Sequence, residues 1–98
     1  MGRMTTETAQ GRLGEIPGWK LEGAAIVRQF SFPGFPEAVA FVVRLGFTAE
    51  TADHHPDILI NYKRVTLTYS THSEGGLTEK DFVGAAAASS LAAAMGGR

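Results

Sequence analysis

All three histidines of the chain fall in one stretch: the pair His54-His55, followed at once by Pro56, and His72, with Asp81 shortly after in the run Gly76-Leu77-Thr78-Glu79-Lys80-Asp81. Imidazole has an unperturbed pKa of ~6.5, so it can both give and take a proton near neutrality. A site assembled from several imidazoles therefore reads first as general acid-base machinery. Two other readings stand beside it: polar residues with no chemistry, and a metal site. The metal reading is the weaker, because adjacent histidines on an extended chain diverge and no cysteine or carboxylate completes a recognisable ligand spacing.

Pro56 biases His55 toward extended backbone, which sends the side chains of His54 and His55 to opposite sides. Glu50, one helical turn ahead of His54, is placed to orient that imidazole. Asp81 has a structural reason of its own: with Thr78 it forms the [Ser/Thr]-x-x-[Asp/Glu] pattern that caps a helix N-terminus. The Gly75-Gly76 pair is first a turn signal, and Trp19, beside the break Ile16-Pro17-Gly18, is first a core residue.

The elements that must carry these groups show in the periodicity. A short, weakly specified helix is expected over Thr5 to Leu13. Ile26, Phe30 and Phe32 share one parity with Arg28, and Gln29 and Ser31 take the other, which is the signature of a half-buried strand; Trp19 to Leu21 is its hairpin partner across Glu22-Gly23. Pro36 suits a first helical turn, and Phe35, Val39, Val42, Gly46 and Ala49, flanked by Ala38, Phe41 and Leu45, predict a helix from about Pro36 to Thr51. Alternation returns from Ile58 to Thr71 as a second hairpin turning near Lys63-Arg64. If Tyr62 pairs with Val65, then Ile60 faces Leu67, Ile58 faces Tyr69 and, by extension, His55 faces His72. Alanine dominates Phe82 to Met95, the last helix, and Gly96-Gly97-Arg98 reads as a frayed tail. The order helix-hairpin-helix-hairpin-helix predicts an α+β, two-layer fold: one four-stranded antiparallel sheet with three helices packed on one face, in a single domain spanning residues 1–98.

The 98 residues, 44% of them hydrophobic, suffice for one compact core. Nine Lys and Arg against ten Asp and Glu leave no basic footprint for nucleic acid. With no cysteine there is neither a disulfide framework nor thiolate chemistry. No run of about 18 apolar residues appears, so no membrane span is expected, and the N-terminus has no apolar signal segment; the protein is read as cytoplasmic.

Taken together, Glu50-x3-His54-His55-Pro56-x5-Tyr62-x9-His72-x8-Asp81 resembles the signature of the pterin-4a-carbinolamine dehydratase family. The likeness extends through Gly18-Trp19, Leu21-Glu22-Gly23, Ile26 and Phe30-x-Phe32. It departs at Ile58-Leu59-Ile60, where the family often has an aromatic, at Lys63, and at Ala24-Ala25, all outside the signature. The resemblance implies dehydration of 4a-hydroxytetrahydropterin to the quinonoid dihydropterin, without metal or organic cofactor. It implies that His54, His55 and His72 are the catalytic residues and that Pro56, Asp81 and Glu50 line or support the pterin site. His55 and His72 are taken for direct proton transfer, and His54 for pterin binding or a shared proton role. It also implies a homodimer or homotetramer and functional coupling to an aromatic amino-acid hydroxylase. The alternative it carries is a protein-binding module, either a dimerisation cofactor or an assembly factor.

Overall fold

The computed structural model describes residues 2–98. A helix α1 (Thr6–Arg12), capped by the Thr5 hydroxyl on the Thr8 amide, runs into a 3₁₀ turn at Leu13–Glu15. Strands β1 (Lys20–Glu22) and β2 (Ala25–Ser31) form the first hairpin, helix α2 spans Phe35–Ala52, β3 (Asp57–Asn61) and β4 (Arg64–Tyr69) form the second, and α3 spans Glu79–Ala94. The sheet is antiparallel in the order β1-β2-β4-β3, so the second hairpin enters with β4 beside β2 and leaves β3 at an edge. The expected α+β arrangement is the one observed.

Parity decides which sheet face is covered. Ile26 and Phe30 of β2 and Val65, Leu67 and Tyr69 of β4 are buried beneath the helices, while Gln29, Ser31 and Arg64 are exposed on the other face. In α2 the buried row is Ala38, Phe41, Leu45 and Ala49 rather than the expected row through Phe35 and Gly46, both exposed; Val39 and Val42 flank it half-buried. Spacings of three and four bring 38, 41, 45 and 49 onto one stripe, and that stripe is the one the sheet takes. In α3 the buried face is Ala85, Ala88 and Ala92, small enough to let the helix lie close against α2 and β4. Trp19 is a core residue whose indole N–H donates to Ser89 Oγ at 2.8 Å.

Two expectations are corrected here. The second hairpin turns at Tyr62-Lys63, not Lys63-Arg64: Asn61 pairs with Arg64, Ile60 with Val65 and Ile58 with Leu67. Tyr62 takes a left-handed conformation (φ 54), which closes a two-residue loop. The register is therefore two residues from the expected one, with Asp57 opposite Thr68 at the end of the ladder, and continuing it does not bring His55 opposite His72. The tail is not frayed, since Arg98 and Ser31 exchange both backbone hydrogen bonds (2.9 and 3.0 Å) and the Gly97 amide donates to Ala92 O at 2.7 Å.

Candidate active site

The site grows from the end of α2. Asp53 adopts the left-handed conformation (φ 51) that commonly ends a helix, and its N–H reaches back to the carbonyls of Ala49 and Glu50. The reversal throws His54-His55-Pro56 off the helix axis and into β3. His54 then points inward, beneath the N-terminus of α3, and His55 points outward, as the extended dipeptide requires.

His54 Nε2 lies 2.6 Å from Asp81 Oδ1. Asp81 is wholly buried (0% exposed), and its other oxygen accepts from Thr71 Oγ1 at 2.8 Å and from the Thr78 backbone N–H at 2.9 Å. The last bond is half of the expected capping box, so one carboxylate both starts α3 and holds His54. A carboxylate surrounded by donors can only accept. Nε2 of His54 therefore carries the hydrogen toward Asp81, and Nδ1 is the nitrogen left for other chemistry. Asp81, expected as a residue lining the site, is wholly buried and meets the site only through its bond to His54.

Tyr69, the last residue of β4, lies against the His54 ring, with centroids 6.0 Å apart and planes inclined by 23°. Burial first, and then the Asp81 carboxylate, push its phenol up to about 12. His54 and Tyr69 form one wall of a groove of about 670 Å³ between α2 and α3, otherwise lined mainly by Phe47, Ala52, Val83, Gly84 and Ala87, with Arg44, Glu79 and Lys80 at its polar margin.

His55 Nε2 pairs with Glu50 Oε1 at 2.9 Å. This corrects the expected pairing of Glu50 with His54, because the left-handed Asp53 carries His54 past the last helical turn and leaves His55 beside it. The pair is open to water, with side chains 55% and 81% exposed. Pro56 is half-buried between the two histidines and β3. His72 opens a 3₁₀ turn (His72–Glu74) that Gly75 closes in the left-handed region (φ 74), where a side chain would be strained. It is exposed and borders a shallow depression of about 330 Å³ with Asp57, Thr68 and Ser70 on the open face of the sheet.

All three histidines thus stand at one end of the β3–β4 pair, but on two sides of it. His54 faces the helices, His72 faces the open side of the sheet, and His55 projects at the rim beside Glu50. Thr71 links the two sides: its side chain bonds Asp81, and the next residue along the chain is His72. Sequence reasoning did not single out Thr71, Tyr69 or Gly84. The last had a signal, a glycine in the middle of an alanine helix.

A family model described as pterin 4 alpha carbinolamine dehydratase matches residues 2–91. The chain belongs to the pterin-4-alpha-carbinolamine dehydratase family. A relative from Chloroflexus aurantiacus, provisionally named pterin-4-alpha-carbinolamine dehydratase, is 51% identical over 87 residues, covering 89% of this chain and 94% of its own. One of the same provisional name from Sulfolobus acidocaldarius is 52% identical over 71 residues, covering 72% and 78%. The crystal structure of a transcriptional coactivator/pterin dehydratase from Brucella melitensis superposes with a TM-score of 0.86 at 36% identity, covering 92% of this chain and 98% of that one. A pterin dehydratase-like protein identified as a RuBisCO assembly factor shares the fold at TM-score 0.61 and 22% identity, covering 74% and 84%. A dehydratase is a hydro-lyase, so the family to which the chain belongs is one of enzymes. No helix among the described residues is long and apolar enough to cross a membrane.

Proposed function

We propose that the chain dehydrates 4a-hydroxytetrahydropterin to quinonoid dihydropterin and water, with His54, His55 and His72 as its catalytic imidazoles. The observation that carries the reading is the 2.6 Å bond from His54 to the buried Asp81, at the same sheet end as the other two histidines. Elimination of water needs one proton delivered to the leaving 4a-hydroxyl and one taken from a ring nitrogen. The C4a–O bond breaks, its electron pair leaves with the water, and the nitrogen's electrons form the new C=N bond, so no net proton is consumed. Imidazoles in opposite protonation states meet both needs. His55 and His72, both in contact with solvent, exchange these protons. His54, with Nε2 committed to Asp81, presents Nδ1 in a fixed direction to the pterin or shares in the transfer. Pro56 and Glu50 shape the rim, and no metal or organic cofactor enters the chemistry.

The test follows the absorbance of the carbinolamine formed by a phenylalanine hydroxylase, with and without the protein. Wild type is expected to speed its decay, and His54→Ala, His55→Ala and His72→Ala each to do so less. A wild type without effect, or three variants equal to it, ends the reading.

A second reading, a protein-binding module, is favoured by one observation: Val43, Phe47 and Val83 expose large apolar side chains along α2 and α3. The same assay separates the two, because a pure scaffold leaves the decay unchanged. We also read the chain as a cytoplasmic homodimer or homotetramer coupled to an aromatic amino-acid hydroxylase. Edge strand β3, with Leu59 exposed, and the apolar helix surface support self-association; a monomer on gel filtration at micromolar concentration contradicts it.

A further inference from the structure

We propose that Tyr69 and Gly84 are a matched positioning pair: the missing side chain of Gly84 seats the Tyr69 ring, and the seated ring holds the His54 imidazole on Asp81. Gly84 lies inside α3, where glycine costs roughly 1 kcal/mol relative to alanine. It has an ordinary helical backbone, so conformational freedom does not account for it. Close approach does, since a Cβ at this position would stand 2.6 Å from Tyr69 Cε1, 2.9 Å from Cζ and 3.2 Å from Cδ1. The shortest of these is nearly 1 Å inside ordinary van der Waals contact. Tyr69 is hemmed in on two sides: it is 2% exposed, Trp19 lies against it at 5.8 Å between centroids, and His54 stacks on it at 6.0 Å, so a ring displaced by a methyl group at position 84 disturbs one of these contacts or swings into the groove away from His54.

A chain of contacts therefore runs from α3 through Gly84 and Tyr69 to His54 and returns to α3 through Asp81. Both ends are anchored on the first turns of one helix, Asp81 at its third residue and Gly84 one turn later. The carboxylate fixes one edge of the imidazole and the phenol ring supports its face. Tyr69 touches no reacting atom in this scheme, so it is a positioning residue for the proton chemistry. The inference rests on the reading of His54 as a catalytic imidazole.

The experiment uses three variants, Gly84→Ala, Tyr69→Leu and the two combined. Each is measured by carbinolamine decay and by the NMR signal of the His54 Nε2 proton in the unliganded protein. Gly84→Ala is expected to shift that signal and lower kcat by roughly tenfold to a hundredfold, the cost of misplacing a reacting group by about 1 Å, with KM little changed. Tyr69→Leu removes the ring and is expected to shift the same signal. In the double variant the leucine side chain fills the space between the added methyl group on α3 and His54, so both signal and kcat return toward wild type, a recovery that independent structural defects do not give. If Gly84→Ala fails to fold, Tyr69→Leu, which makes space instead of a clash, carries the readout. The proposal is overturned if the His54 signal in folded single variants is that of wild type, or if the double variant is no better than the product of the two single losses. The two failures are distinguishable: an inactive wild type removes the dehydratase reading and with it the catalytic purpose of the pair, whereas an unmoved His54 signal in the single variants of an active protein overturns the pair alone.

Discussion

Replacing Asp81 by asparagine separates the two duties of this carboxylate. The side chain keeps its shape, and its amide oxygen can still accept from Thr71 Oγ1 and the Thr78 N–H, now at 2.8 and 2.9 Å from Oδ2. The amide nitrogen must then occupy the place of Oδ1, 2.6 Å from His54 Nε2. Two donors cannot face each other at that distance, so His54 either moves away or changes tautomer, with its hydrogen on Nδ1. Exchanging a charge-assisted bond for a neutral one costs about 1–2 kcal/mol. In a domain of this length that lowers the melting temperature by roughly 5–15 °C. Activity falls much further, by on the order of 10² to 10⁴, because the nitrogen offered to the substrate is in the wrong protonation state. Asp81→Ala also strands the Thr78 N–H and leaves the Thr71 hydroxyl only Thr78 Oγ1, 2.7 Å away, at a cost of about 2–4 kcal/mol, a large part of the stability of such a domain. Thermal melts and carbinolamine decay measured on the same samples decide the matter. A folded Asp81→Asn protein that matches wild type in decay rate would show that the bond from Asp81 to His54 has no part in the reaction.

Three further outcomes are expected. Glu50→Gln should change stability by less than about 0.5 kcal/mol, since both it and its partner His55 are open to water; chemical denaturation with a midpoint clearly below wild type would contradict this. Stability should fall between about pH 10 and about pH 12, because the Tyr69 proton is held more tightly in the fold than in the unfolded chain. The stabilisation is complete below pH 10, amounts to roughly 2–3 kcal/mol and is lost as pH rises through the folded value; Tyr69→Phe should show no such loss when denaturation is repeated across that range. Tyr62→Gly should raise the melting temperature by a few degrees, up to about 1 kcal/mol, by relieving the left-handed backbone of a residue that is 64% exposed. An unchanged or lower melting temperature would count against the assigned turn.

Fold class was legible because each element carried its own signal: parity in β2 and β4, Pro36 at the start of α2, and the Thr78–Asp81 cap on α3. Hairpin register was not, for a definite reason. A shift of two residues leaves every side chain on the same face, so alternation cannot tell Ile60 opposite Val65 from Tyr62 opposite Val65. The turn decides, and a tyrosine in left-handed backbone announces nothing. The partner of Glu50 was misread because helical spacing was extended past a helix that ends at Asp53, where one left-handed residue exchanges the places of the two histidines. Tyr69 and Gly84 were passed over for a different reason. A buried tyrosine looks like core and a helix glycine like tolerance, and only their closeness gives either a meaning.

The Thr78 amide has a use that follows from its single bond to Asp81. It precedes the first turn of α3, where no helix carbonyl can shield it, so its exchange with deuterium is slowed by that carboxylate alone. Whenever Asp81 swings out and releases His54, this one amide is laid open to solvent. It is a native reporter, readable without substrate or label, of how often the resting enzyme takes its own apparatus apart.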